Sequence, residues 1–217
     1  MAKKSAAFNL TLNEEQKLAK KEILEHAITV LKGQAGSGKT LLACQVALDL
    51  YQKKETNKII VSRPLVTMDG EEVGFLPGTA FEKTLPYLIP IYANMYQLWD
   101  KIEIDALIHA GDIEICPIAF IKGRTFLNST VIIDEAQNCT HSQLEGILGR
   151  LGRNSRMIIC GDMTQCDLPQ VSKSGFNFLD NLISVPQFKM IKLEANHRHD
   201  IVPEILQIYK ASREISA

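Results

Sequence analysis

The sequence lacks several features that would place it in a specialised class of protein. Its five cysteines are odd in number and form no C-x-x-C pair, which argues against a disulfide framework or a zinc site. No apolar run approaches the ~18 residues that a membrane-spanning helix needs. The segment after Met1 does not resemble the apolar core of a signal peptide. We therefore expect a cytoplasmic protein with reduced thiols and no membrane partner.

The chain also has no excess of either charge. Lys and Arg number 24 against 25 Asp and Glu, a formal net charge of -1. This balance excludes a wholly basic surface for nucleic acid but leaves a local basic patch open. Aromatic residues make up only 6% of the chain and no repeat is evident, whereas hydrophobic residues reach 46%. The composition is that of an ordinary globular protein, and 217 residues fit a single domain, 1–217.

Short apolar runs alternate with helical stretches along the chain. Because these runs are continuous rather than alternating in polarity, they are typical of strands buried on both faces. The pattern predicts an α/β fold of three layers with a mostly parallel central sheet. The predicted strands are Ile28–Leu31, Lys58–Ser62, Ile113–Cys116, Val131–Ile133, Met157–Cys160 and Met190–Leu193, and the predicted helices cover residues 12–26, 41–53, 142–151, 176–182 and 201–212.

One region, at about residues 65–100, does not fit a strand–helix–strand unit. It is rich in proline and glycine at its start, so we predict an inserted loop or hairpin followed by a helix near Tyr87–Trp99. Its aromatic and basic residues could contact single-stranded RNA. The alternative is that they pack in the core and form a contact between subunits. These residues are Phe75, Phe81, Lys83 and Tyr87.

Residues 33–40 match the pattern G-x-x-x-x-G-K-[ST] between a predicted strand and a predicted helix. The glycines let backbone N–H groups point at phosphate oxygens, and the helix start adds its positive dipole end. Lys39 is expected to reach the β- and γ-phosphates, and the Thr40 hydroxyl to hold Mg²⁺. The alternative is a flexible turn with a solvated lysine. The predicted nucleotide-binding residues are Gly33, Gln34, Ala35, Gly36, Ser37, Gly38, Lys39 and Thr40.

Two acidic or polar clusters follow later strands. Asp134 and Glu135 end the apolar run at residues 131–133, where Asp134 can hold Mg²⁺ and Glu135 can deprotonate the attacking water. The alternative is that Asp134 caps a helix and Glu135 faces solvent. Gln165, in the segment that follows the fifth strand, can contact a γ-phosphate; the alternative is a polar turn.

Other candidates are weaker on the residues alone. Gln16 has an amide that suits the adenine edge, although it could equally face solvent. The arginine that stabilises the transition state could be Arg63, Arg124 or Arg198, and surface ion pairs are the alternative. His197 and His199 form an H-x-H pair; we interpret them as exposed polar residues rather than metal ligands.

Taken together, these motifs resemble the first motor domain of superfamily I helicases and, more closely, the PhoH-like ATPase family. The resemblance runs from about Gln16 to Tyr209, almost the whole chain. The blocks that carry it, in order, are Ser62-Arg-Pro64, Gly74-Phe-Leu-Pro-Gly78, Lys122-Gly-Arg-Thr125, Asp134-Glu-Ala-Gln-Asn138, Gly161-Asp-Met-Thr-Gln165 and the closing Arg198-His199.

The resemblance implies a single RecA-like core that binds ATP and Mg²⁺ and acts on RNA. By the same resemblance Lys39 and Thr40 bind nucleotide and metal, Gln165 senses phosphate and Arg198 is the catalytic finger. Superfamily I motors place nucleotide between two such cores, so we predict a homo-oligomer, as a hexameric ring, in which a neighbour supplies an arginine. The alternatives are an RNA-binding switch gated by nucleotide and a kinase built on the same phosphate loop.

Overall fold

A computed structural model of the chain describes residues 11–64, 80–118, 121, 123–197, 199, 201, 202, 204, 205 and 208. For residues 80–87 it describes the backbone alone. The loop or hairpin predicted at the start of the 65–100 insertion therefore lies outside the described residues, as does most of the helix predicted at 201–212.

Six parallel strands form one sheet in the order β3-β2-β4-β5-β1-β6. All six strands coincide with the predicted apolar runs, so the α/β class and the parallel sheet are confirmed. The bounds are β1 Ile28–Gly33, β2 Lys58–Ser62, β3 Ile113–Ile115, β4 Ser129–Ile133, β5 Arg156–Gly161 and β6 Phe188–Leu193.

The sheet separates two apolar clusters, one on each face. Alternate residues of a strand point to opposite faces, and in β4 Ile132 joins one cluster while Val131 and Ile133 join the other. The first cluster is completed by four helices and the second by a fifth helix and a 3₁₀ segment at Phe176–Leu182. The fold therefore has three layers, as predicted.

The helices are α1 Glu14–Glu25, α2 Lys39–Gln52, α3 Ala80–Leu98, α4 Lys101–Ala110 and α5 His141–Leu148. Two predictions need correction, and one helix was missed. α3 begins seven residues before Tyr87 and runs through two prolines, residues 176–182 form a 3₁₀ rather than an α-helix, and α4 was not predicted. Its ends are nonetheless defined, because the Asp100 side chain accepts from the Ile102 N–H and Gly111 takes a left-handed conformation.

Two expectations about composition can be compared with the structure. The five cysteines are unpaired, and four of them are buried. Within the described ranges, no helix combines the length and the apolar character needed to cross a bilayer.

The strand direction brings distant parts of the chain to one edge of the sheet. Because every strand is parallel, the carboxyl ends of β1, β2, β4, β5 and β6 lie on the same side, which is where open α/β sheets bind ligands. The segments that follow these strands carry the phosphate loop, Arg63, Asp134, Asp162 and His197. This edge is therefore the candidate site.

Candidate functional site

A cavity of about 430 Å³ opens at this edge of the sheet. It is lined by the phosphate loop, by residues at the ends of β2, β4 and β5, by His197 after β6 and by one turn of α3 at Pro90 and Asn94. This volume lies within the range of small-ligand sites. The structure thus brings the phosphate loop, Asp134, Glu135 and Gln165 around one space.

The conformation of the phosphate loop requires glycine at both of its ends. Gly38 lies at φ +80°, and a Cβ there would come within 2.8 Å of the Gln16 Nε2. A Cβ on Gly33 would come within 2.5 Å of the Leu193 carbonyl oxygen. Between these two positions the chain turns from β1 into the first turn of α2, so the loop can bring its N–H groups close to an anion.

Lys39 folds over the mouth of this loop. Its ammonium donates to the Gly33 carbonyl at 2.6 Å and to the Gln34 carbonyl at 2.9 Å. The positive charge is therefore held among loop carbonyls at the entrance of the cavity, where a phosphate oxygen can replace them as acceptor.

Thr40 and Asp134 meet across the cavity floor. The Thr40 hydroxyl donates to Asp134 Oδ1 at 2.7 Å, and Asp134 is 4% exposed. Burial, followed by the charge of neighbouring Glu135, raises the pKa of Asp134, while the Thr40 hydroxyl and Arg63 act in the opposite direction. A hydroxyl and a carboxylate beside a phosphate loop are the hard oxygen donors that Mg²⁺ uses together with substrate phosphates and water. The residues therefore fit a magnesium ion.

Glu135 follows in a left-handed backbone conformation, with φ +50°. One carboxylate oxygen accepts from Gln137 Nε2 at 2.5 Å, and the other lies 3.6 Å from a guanidinium nitrogen of Arg63. Arg63 also lies 3.7 Å from Asp134. A cation thus stands between the two acids, which reduces their mutual repulsion.

The segment after β5 is tied to the phosphate loop. Asp162, 7% exposed, accepts from the Ala35 N–H at 3.0 Å through one oxygen. Its other oxygen accepts from the N–H and the hydroxyl of Thr164 at 3.0 and 2.7 Å. These bonds hold a short 3₁₀ turn that places Gln165 in the cavity lining.

Gln16 borders the phosphate loop from α1 but is already engaged. Its Oε1 accepts from the Asn13 N–H at 3.2 Å, and Asn13 in turn accepts from the Gln16 N–H, which forms a capping box at the start of α1. Its Nε2 lies 3.2 Å from Nε2 of His197. Recognition of adenine by Gln16 stays a prediction. His197 is exposed, in agreement with its interpretation as an exposed polar residue. Its backbone N–H donates to the Gly36 carbonyl at 2.9 Å.

The three arginine candidates separate in the structure. Arg63 lines the cavity. Arg124 forms a two-pronged ion pair with Glu114, and Lys58 lies 2.6 Å from the same carboxylate; this cluster belongs to β2, β3 and the loop after β3. Arg198 lies outside the described residues, so its role as a finger stays a prediction.

Sequence reasoning missed two residues of this site. Gln137 and Asp162 were noted only as letters within motifs, yet the structure makes them the links between Glu135, Gln165 and the phosphate loop. The available signal was their position: Asp162 directly follows β5 and Gln137 lies four residues after β4, and both strands end at the ligand edge.

Comparison with known proteins agrees with this geometry. The family model described as "PhoH-like protein" matches residues 10–210. A "PhoH-like protein" of Synechocystis is 39% identical over 199 residues, 90% of this chain and 60% of that protein. "Protein PhoH" of Escherichia coli is 38% identical over 205 residues, 91% of this chain and 55% of its own length. The chain thus spans little more than half the length of these relatives.

Among solved structures, the large terminase of a thermophilic bacteriophage aligns with a TM-score of 0.55 at 10% identity, over 91% of this chain and 50% of that one. At this identity the likeness shows the fold alone. One conclusion follows from the sequence match, the parallel sheet and the phosphate loop at the carboxyl edge of that sheet. The chain belongs to the PhoH-like family and has the fold of a nucleotide-binding P-loop NTPase.

Proposed function

We propose that the chain is a Mg²⁺-dependent ATP hydrolase. The observation that carries the proposal is the 2.7 Å hydrogen bond from Thr40 to buried Asp134, beside Lys39 and with Glu135 in the same cavity lining. This arrangement supplies a cation for the phosphates, oxygen donors for a metal and a carboxylate for a water molecule.

Each side chain has a separate task in this proposal. The N–H groups of the loop and the Lys39 ammonium bind the β- and γ-phosphates, and Glu135 accepts a proton from the attacking water. The water oxygen bonds to the γ-phosphorus as the bond to the β-phosphate oxygen breaks, giving ADP and phosphate. Arg63, already 3.6 Å from Glu135, neutralises developing negative charge, and Gln165 contacts the γ-phosphate.

Thr40 and Asp134 are the residues that would hold Mg²⁺. The ion, when bound, supplies neutralisation of charge on the β- and γ-phosphate oxygens. The buried position of Asp134 keeps its carboxylate fixed toward Thr40, so the chain provides a preformed pair of oxygen ligands.

We further propose that hydrolysis is coupled to single-stranded RNA and that the chain works as a homo-oligomer, as a ring, with Arg198 supplied to a neighbouring site. Membership of the PhoH-like family supports the choice of RNA. In a superfamily I motor a second core closes the site, and in this proposal a neighbouring copy of the chain takes that place.

The experiment measures phosphate release from Mg²⁺-ATP by the wild type, Lys39→Ala and Glu135→Gln, with single-stranded RNA, single-stranded DNA or neither. Glu135→Gln should lose at least about 100-fold in turnover, since a positioned base contributes about that much, yet still bind a fluorescent ATP analogue. Lys39→Ala should lose both turnover and binding of the analogue. Glu145→Gln, which removes an exposed carboxylate from α5, is the matched control and should behave as wild type.

Other outcomes would select the alternatives. Transfer of labelled phosphate to an acceptor, instead of its release, would indicate a kinase. RNA affinity that depends on bound ATP, with equal and negligible turnover in the wild type and Glu135→Gln, would indicate a binding switch. Stimulation by DNA but not RNA would overturn the proposed partner.

A further inference from the structure

Gln137 lies in the short 3₁₀ helix Ala136–Asn138, directly after the acidic pair. It is fully buried. A neutral amide without access to water must find partners for its oxygen and both N–H groups inside the protein, or lose hydrogen bonds that it makes to water when unfolded. Its three partners therefore indicate what the residue holds in place.

All three partners belong to the candidate site. The Gln137 Nε2 donates to Glu135 Oε2 at 2.5 Å and to the Gln165 carbonyl at 3.1 Å. The Gln137 Oε1 accepts from the Asp162 N–H at 3.0 Å. One planar amide thus joins the carboxylate of Glu135 to both ends of the turn that carries Gln165.

Only an amide of this length makes these contacts. A carboxylate in its place would present acceptors instead of donors to the Glu135 carboxylate and the Gln165 carbonyl. An apolar side chain would leave all three partners without a hydrogen bond from this position. The arrangement extends further, because Asp162 also accepts from the Ala35 N–H of the phosphate loop. The loop, the sensor turn and Glu135 are therefore connected through two buried side chains.

Glu135 needs such support. Its backbone is left-handed, at φ +50°, and the cation nearest to its carboxylate among the described residues, Arg63, lies 3.6 Å away. The shortest contact that fixes its rotamer is the one to Gln137. A displacement of about 1 Å in a catalytic group can cost about 100-fold in rate.

We propose that Gln137 is a positioning residue, which fixes the Glu135 carboxylate relative to Gln165 so that the base faces the attacking water beside the γ-phosphate that Gln165 contacts. The inference rests on the proposed ATP hydrolysis. It assigns Gln137 an effect on turnover rather than on nucleotide binding, because none of its three contacts involves the phosphate loop, residues 33–40, and the contact to Gln165 is to its backbone carbonyl.

The adjacent residue provides a matched control. Asn138 lies in the same 3₁₀ helix and is 7% exposed. Its amide donates to Asp167 at 3.1 Å and accepts from the Asp167 N–H at 2.7 Å. It therefore binds the segment after the sensor turn without contacting Glu135. Asn138→Leu removes a buried amide of comparable structural value.

The experiment compares the wild type, Gln137→Met and Asn138→Leu for kcat and KM with Mg²⁺-ATP, for the Kd of a fluorescent ATP analogue and for thermal stability. Both variants should melt at lower temperature. Gln137→Met should lower kcat about 10- to 100-fold with Kd within about threefold of the wild type. Asn138→Leu should keep both values within about threefold. Gln137→Asn, which keeps the amide on a shorter stem, should repeat the loss of kcat.

Several results would overturn the inference. Equal loss of kcat in Gln137→Met and Asn138→Leu, or a loss confined to Kd, would show a structural or binding role. If both Gln137 variants fail to fold while Asn138→Leu folds, the role of Gln137 is structural and the inference is overturned. Wild-type protein that binds the analogue but hydrolyses nothing would refute the proposed function, and the inference with it, whereas wild-type turnover that persists in Gln137→Met refutes the inference alone.

Discussion

The Gly161→Ala substitution tests the packing that supports the end of β5. Gly161 is the last residue of β5 and directly precedes Asp162. A Cβ at this position would lie 2.5, 2.6 and 3.0 Å from three ring carbons of Phe176. Phe176 is 1% exposed, so its ring can shift only by displacing the residues packed around it.

The expected cost follows from this overlap. The shortest contact falls nearly 1 Å below ordinary van der Waals separation, and overpacking of a dense core costs about 1–3 kcal/mol. Taking ~2 kcal/mol for Gly161→Ala, a domain of about 200 residues should melt about 4–8 °C lower. Urea denaturation should show a lower midpoint with an unchanged m-value.

Two further variants make the result specific. Gly146→Ala adds a methyl group in α5 where a Cβ meets nothing within 4 Å, so it should stabilise by up to about 1 kcal/mol. Phe176→Leu should destabilise alone but recover about 1 kcal/mol or more of the Gly161→Ala cost in the double variant. A melting temperature within about 1 °C of wild type for Gly161→Ala, or strict additivity with Phe176→Leu, would refute the packing argument.

Two other predictions concern charge and thiols. The Arg124 guanidinium, followed by Lys58, lowers the pKa of Glu114 to about 2, below its value of about 4.5 in an unfolded chain, so this stabilisation is present above about pH 4.5 and is lost as the pH falls toward 2. Glu114→Gln should cost about 1 kcal/mol at pH 7, since the group is partly exposed. It should cost much less near pH 2, where the folded-state carboxylate is half protonated. A pH-independent difference in urea unfolding would contradict this. For the thiols, burial raises the pKa of Cys44, Cys139 and Cys160, so a thiol reagent at pH 8 should label about one site per native chain, Cys166, and all five after denaturation. Rapid labelling of more than one native thiol would contradict the burial of the others.

The four inner strands, β1, β2, β4 and β5, were predictable because each contains a continuous run of mostly β-branched residues that is buried. Helix α4 escaped prediction because Lys101, Glu103 and Asp105 interrupt its short apolar pattern. Its two caps, Asp100 and Gly111, were readable. The early start of α3 was missed for a different reason: proline disfavours a helix interior, and packing of α3 against the core outweighs that preference.

Much of the site could also be predicted, since a phosphate loop and an acidic strand end bind ligand through local geometry. Two of the three contacts made by Gln137 could not, because they span 25 and 28 residues of sequence and depend on which strands are neighbours. The ion pair between Arg124 and Glu114 spans only 10 residues, but it requires the loop after β3 to fold back onto that strand. For Gln16 the sequence N-x-x-Q already indicated a capping box, a local signal that the adenine hypothesis passed over.

Strand β3 closes one side of the sheet and has only three residues. A strand at this position leaves backbone groups that another chain could pair with, and proteins protect against such pairing by keeping the strand short and charged. Here Glu114, with its two cationic neighbours, occupies the middle of the strand. Copies of this chain should therefore not extend one another's sheets through the β3 edge.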